Sequence, residues 1–140
     1  MNEELDAVFK DVNSSLPQRK IVQLIERTNL SADMKALLSD LARLTIKIGG
    51  KILAIGRKIL TFIFDVIKLL PGITLGVLAA IVISSIIGAI PIIGAVLAAF
   101  LSPILLAAGI SLGALKDMTN DKLGEKLDKL IGSFSPLKEV

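Results

Sequence analysis

The sequence predicts an all-α membrane protein, in which a long amphipathic helix is followed by an apolar transmembrane helical hairpin, with short amphipathic helices at the N- and C-terminal ends. Three observations predict it. No charged residue occurs from Leu69 to Leu115, and the stretch is broken near its middle by Pro91. A crossing needs about 20 apolar residues, because a helix rises about 1.5 Å per residue through about 30 Å of hydrocarbon, so the stretch is long enough for two. The charges between Arg43 and Lys68 fall on one side of a helical wheel. Hydrophobic residues make up 53% of the 140 residues and the mean hydropathy is +0.75, above the roughly 45–50% apolar content of ordinary soluble domains.

Composition also narrows the chemistry. Cysteine and histidine are absent, which removes disulfides, thiolate nucleophiles, the usual general base and the commonest transition-metal ligand. Carboxylates such as Glu26, Asp40 and Glu125 have no spacing that nominates an acid–base pair. Gly49-Gly50-Lys51 lacks the strand and frame of a phosphate loop. The expectation is no enzymatic activity, no cofactor and no metal. With 16 basic and 13 acidic residues the net charge is +3. That excess is small and carries no interleaved aromatics to stack bases, so nucleic acid is not an expected partner. Glu3, Glu4 and Asp6 near the N-terminus argue against a cleaved signal peptide, which starts basic.

Residues 1–30 read as short helices and as a possible surface for protein partners. Leu5, Val8 and Phe9 form one apolar face, Asn13-Ser14-Ser15 mark a turn, and Pro17 suits a first helical position. Ile21, Val22, Leu24 and Ile25 give the second helix its apolar side. Ser31 is a good N-cap, because its hydroxyl accepts from amides that the first helical turn leaves unpaired.

Residues 31–70 read as one long helix, weakened only by Gly49-Gly50 and ended by Pro71-Gly72. At about 100° per residue, Arg43, Lys47, Lys51, Arg57, Lys58, Asp65 and Lys68 all fall within a stripe about 120° wide. The rest of the circumference is apolar, which defines an amphipathic helix.

Residues 71–115 read as the helical hairpin, with a turn near 91–94. Antiparallel pairing about that turn sets Gly72 against Gly113, Gly76 against Gly109, Thr74 against Ser111, and Ser84 or Ser85 against Ser102. Small residues allow close helix approach in lipid and hydroxyls bond across it. Lys68 and Lys116 flank the pair, and residues 88–95 carry no charge. The positive-inside rule then places both termini in the cytoplasm, across an inner (cell) membrane. Residues 116–140 read as a C-terminal helix capped by Thr119 or Asn120, with Leu123, Leu127, Leu130 and Ile131 inward, ended by Gly132 and followed by a loose tail.

Three roles are open to the basic stripe. It can lie against anionic headgroups, line a water-filled path through a homo-oligomer, or form the one solvated face of a helix packed on the hairpin. The expected function is a non-enzymatic protein that oligomerises to form a pore or permeabilise the bilayer. The alternative is an accessory membrane subunit that packs against partner proteins. A soluble form that hides its hairpin is a third possibility. In kind, the two uncharged helices from Gly72 to Gly113 and their amphipathic neighbours resemble the hydrophobic hairpin of pore-forming colicins, and equally holin-like proteins and small membrane-disrupting effectors. That resemblance covers about a third of the chain, rests on no residue motif, and implies membrane insertion.

Overall fold

Capping and turn residues set the element order of the computed structural model, which describes residues 3–139. The elements are α1 (Glu3–Asn13), α2 (Gln18–Glu26), α3 (Ala32–Ala42), β1 (Ile46–Ile48), β2 (Lys51–Leu53), α4 (Ile55–Ile67), α5 (Leu75–Ala89), α6 (Pro91–Ala108), α7 (Ala114–Met118) and α8 (Asp121–Phe134), then a 3-10 turn at Ser135–Glu139. The fold is therefore mostly helical. Ser31, Thr74 and Asn120 each accept a backbone amide, from Met34, Val77 and Leu123 respectively, and so start α3, α5 and α8.

The long helix expected over 31–70 is not present. It is divided into α3, a two-stranded antiparallel ribbon and α4, with Ile46 paired to Leu53, Lys47 to Ile52 and Ile48 to Lys51. The reason is local. Gly49 and Gly50 both adopt positive φ, +58° and +80°, the geometry of a two-residue turn whose twist matches its strands. The flanking Ile-Lys-Ile and Lys-Ile-Leu then pair as strands rather than extend a helix. A single wheel from Arg43 to Lys68 therefore has no physical counterpart.

Two further boundaries differ. Residues 91–94 are the first turn of α6, not a loop, and the reversal occurs at Ile90 alone, which is extended and joins both helices. At the C-terminal end, α8 runs past Gly132, and Phe134 and Leu137 are buried. These two side chains anchor what the sequence suggested was a loose tail; Val140 lies outside the described residues.

The core centres on α5. Every residue from Gly76 to Ile83 is buried, as is Ile86. One apolar cluster joins it to Leu5 and Val12 of α1, Ile21 and Ile25 of α2, Leu38 and Leu41 of α3, Ile59 and Ile63 of α4, and Leu123 and Phe134 of α8. A helix that is apolar on all sides needs cover on all sides. The amphipathic helices supply it, and burial of each such Leu or Ile contributes about 1.5–3 kcal/mol.

Candidate functional site

Two features stand out on this frame: a polar clamp that holds the covering helices to α4, and an uncharged helix, α6, left open along one flank.

The clamp forms where the α1–α2 turn crosses the start of α4. The Arg57 guanidinium donates to three main-chain carbonyls: Nε to Leu16 at 2.9 Å, and Nη2 to Ser15 at 2.7 Å and Asn13 at 3.2 Å. The Asn13 side chain closes the other side. Its Nδ2 donates to the Ile52 carbonyl at 3.2 Å, and its Oδ1 accepts from the Ala54 amide at 3.0 Å. Thr61 accepts from the Leu16 amide at 3.2 Å and donates to the Arg57 carbonyl at 2.7 Å. Arginine suits this position because its planar fork presents several donors at once. Two ion pairs reinforce it along α1. Lys58 lies 3.0 Å from Asp11 and Lys51 3.1 Å from Asp6, with the Lys51 ammonium also 5.3 Å from the centre of the Phe9 ring.

The expected stripe is thus distributed over three elements and their ends. Arg43 caps α3 and pairs with Asp40 at 3.3 Å. Lys47 is exposed on β1, Asp65 is exposed on α4, and Lys68 is exposed at the α4 C-cap. Lys51, Arg57 and Lys58 bind α1 and the turn after it. Three of the seven stripe residues, Lys51, Arg57 and Lys58, therefore tie one part of the fold to another.

The proposed helical-hairpin register is also revised. Gly76 faces the Met34 side chain of α3, and open space lies where a Cβ would project from Gly109, Gly113 or Gly72. Gly109 and Gly72 serve as positive-φ residues, at the α6 C-cap and in the α4–α5 loop, and Gly113 precedes α7. Thr74 caps α5, Ser111 accepts from the Ala114 amide, and Ser84 and Ser85 both donate to the Ile81 carbonyl of their own helix. Ser102 is exposed. The close backbone contact of the pair falls instead at Gly94, where a Cβ would lie 2.9 Å from Ile87 Cα. That proximity follows from the one-residue reversal at Ile90.

α6 is the open flank. Ile93, Gly94, Leu97 and Ile104 face inward. Ala95, Ala98, Ala99, Ser102, Leu106 and Ala107 are exposed on the other side, and Leu106 is 80% accessible. Pro103 sits within this helix and leaves one carbonyl without its helical donor. Among the described residues, α6 is the one helix long and apolar enough to cross a membrane, and only 22% of its 18-residue span is buried. α5 is apolar but has 15 residues. The uncharged segment Leu69–Thr74 ahead of it forms a loop and the N-cap rather than added helix, so the expected two crossings reduce to one full-length candidate and one short apolar helix.

No family model, curated protein or solved structure matches this chain.

Proposed function

We propose that the protein is non-enzymatic and membrane-active, and that it is held here in a closed form. The α5–α6 pair is the inserting unit, and α1–α4 with α8 form its cover. The observation that carries this reading is α6: an uncharged 18-residue helix, 22% buried, packed beside α5, which is buried from Gly76 to Ile83. An apolar flank of this kind is usual for a surface that meets lipid or protein. About 27 Å of helix, at roughly 1.5 Å per residue, also approaches the thickness of a hydrocarbon core. Insertion would place the uncharged reversal at Ile90 foremost, so no ion has to be dehydrated. Both ends of the pair would stay on the cytoplasmic side of the inner membrane, beside Lys68 and Lys116. Permeabilisation by several copies is the fuller form of the proposal, with the bilayer and further copies of this chain as partners.

Release of dye from lipid vesicles tests it. The exposed face of α6 provides a variant that separates folding from insertion. Ala98→Lys and Ala99→Lys replace side chains that are exposed to solvent in the closed fold and should change its stability by less than about 0.5 kcal/mol. A cation in mid-membrane costs about 2.5–3.5 kcal/mol, so both should suppress release strongly. A release rate that rises faster than linearly with protein concentration would support assembly into a pore. The same exposed face also suits an accessory subunit seated on partner proteins, and vesicles that stay intact at every dose would favour that role.

A further inference from the structure

A second feature lies away from α6, between α4 and α8. Lys58, Phe62 and Val66 project from one side of α4, at a spacing that keeps them on one face. Lys126, Lys129, Leu130 and Ser133 face them from α8, and together these residues line a cavity of about 250 Å³. Its polar lining is strongly one-signed. Among the described residues, neither Lys126 nor Lys129 has an ion-pair partner, and the partner of Lys58 is Asp11, behind it on α1. Lys126 and Lys129 are also neighbours three residues apart on one helix, so their like charges fall close together at the groove. The larger cavity alongside shares Lys58 and Ser133 but is lined by Glu4 and Asp11, so an anion is directed to the α4–α8 side.

We infer that this groove captures the phosphate headgroup of an anionic phospholipid. The ammonium groups are opposite in sign to the phosphate and supply donors for its oxygens. The apolar wall of Phe62, Val66 and Leu130 matches the glycerol and first acyl carbons, for which a free inorganic ion has no counterpart. Capture has a mechanical consequence. Lys58 is 3.0 Å from Asp11, and a phosphate that engages Lys58 competes with that carboxylate. The headgroup therefore weakens the tie between α1 and α4 at the moment when the chain meets the membrane. This step rests on the insertion proposed above, in which α1 belongs to the cover.

The test is flotation of the full chain with vesicles of phosphatidylcholine alone or mixed with phosphatidylglycerol. Lys126→Gln/Lys129→Gln is compared with Lys122→Gln/Lys138→Gln, which removes the same charge elsewhere. Affinity for the anionic vesicles should fall about tenfold further in the groove variant than in the control. Equal losses in the two variants would overturn the groove in favour of general surface attraction. Groove-dependent binding of inorganic phosphate in solution, with vesicle affinity that the groove variant and the control lose equally, would overturn the lipid in favour of a free anion. Flotation reads capture whether or not the bilayer is breached. Groove-dependent flotation without dye release would keep the headgroup site and remove permeabilisation. Undiminished release by the groove variant would remove the coupling between them.

Discussion

Gly56 and Leu41 meet backbone to backbone: a Cβ on Gly56 would run into the Leu41 carbonyl oxygen, and the Gly56 amide donates to the Leu44 carbonyl at 3.0 Å. This contact fixes how the start of α4 sits on the end of α3. The obstacle is main chain on both sides, so no side-chain rotation relieves it. Gly56→Ala should destabilise the protein by about 2–3 kcal/mol, read as a lower urea midpoint. Gly124, inside α8, has open space where a Cβ would project. Gly124→Ala should raise the same midpoint, by about 0.5–1 kcal/mol.

Arg57 makes its bonds to main-chain carbonyls at 13, 15 and 16. Removing it leaves three acceptors near the surface to be served by water and frees the α1–α2 turn. Arg57→Ala should cost about 2–3 kcal/mol, within the range for bonds to a charged donor. Arg57→Lys should recover less than half of that, because an ammonium does not reproduce the fork. Thermal melts of the three proteins check this order. Equal stability of Arg57→Ala and wild type would show that the clamp is not needed for the fold.

Lys58 and Asp11 are 3.0 Å apart, with side chains 22% and 47% accessible. Solvent at that level screens the pair, so a double-mutant cycle with Lys58→Met and Asp11→Asn should give a coupling of about 0.5–1 kcal/mol. It should shrink as salt is added, since the Debye length falls from about 10 Å at 0.1 M to about 3 Å at 1 M.

The sequence made the helical class, the cap at Ser31, that at Thr119 or Asn120, and the apolar central pair visible, because each has a local signature; the cap at Thr74 was not among them. Ser31 precedes an acidic first turn, Asn120 precedes Asp121, and Pro91 cannot continue α5. It did not disclose the division of residues 31–70. The relevant signal was present: Gly49-Gly50 between Ile-Lys-Ile and Lys-Ile-Leu matches a β-hairpin turn as well as it matches a weak point in a helix. The long helical context on both sides favoured the helix. The partners of the small residues depend on tertiary placement. Gly76 pairs with Met34 from outside the apolar stretch, so symmetry within the stretch had no means to identify it. The role of Arg57 was hidden for a related reason, since its acceptors are carbonyls, which every residue carries. Lys126 and Lys129 carry no signature of their own in the sequence, because Lys58 and Phe62 come to face them only through tertiary packing.

The central claim is that α6 moves from the flank of the bundle into the bilayer. The chain has no cysteine, so a single Ser102→Cys on the exposed face of α6 takes one polarity-sensitive dye. Its quenching is then followed with iodide in water and with quenchers fixed deep on lipid acyl chains. The account predicts that the label is open to iodide in the free protein, and that it becomes shielded from iodide and strongly quenched by the deep acyl quenchers once vesicles are added. A label that stays open to iodide and untouched by the acyl quenchers, on protein that floats with the vesicles, would contradict it.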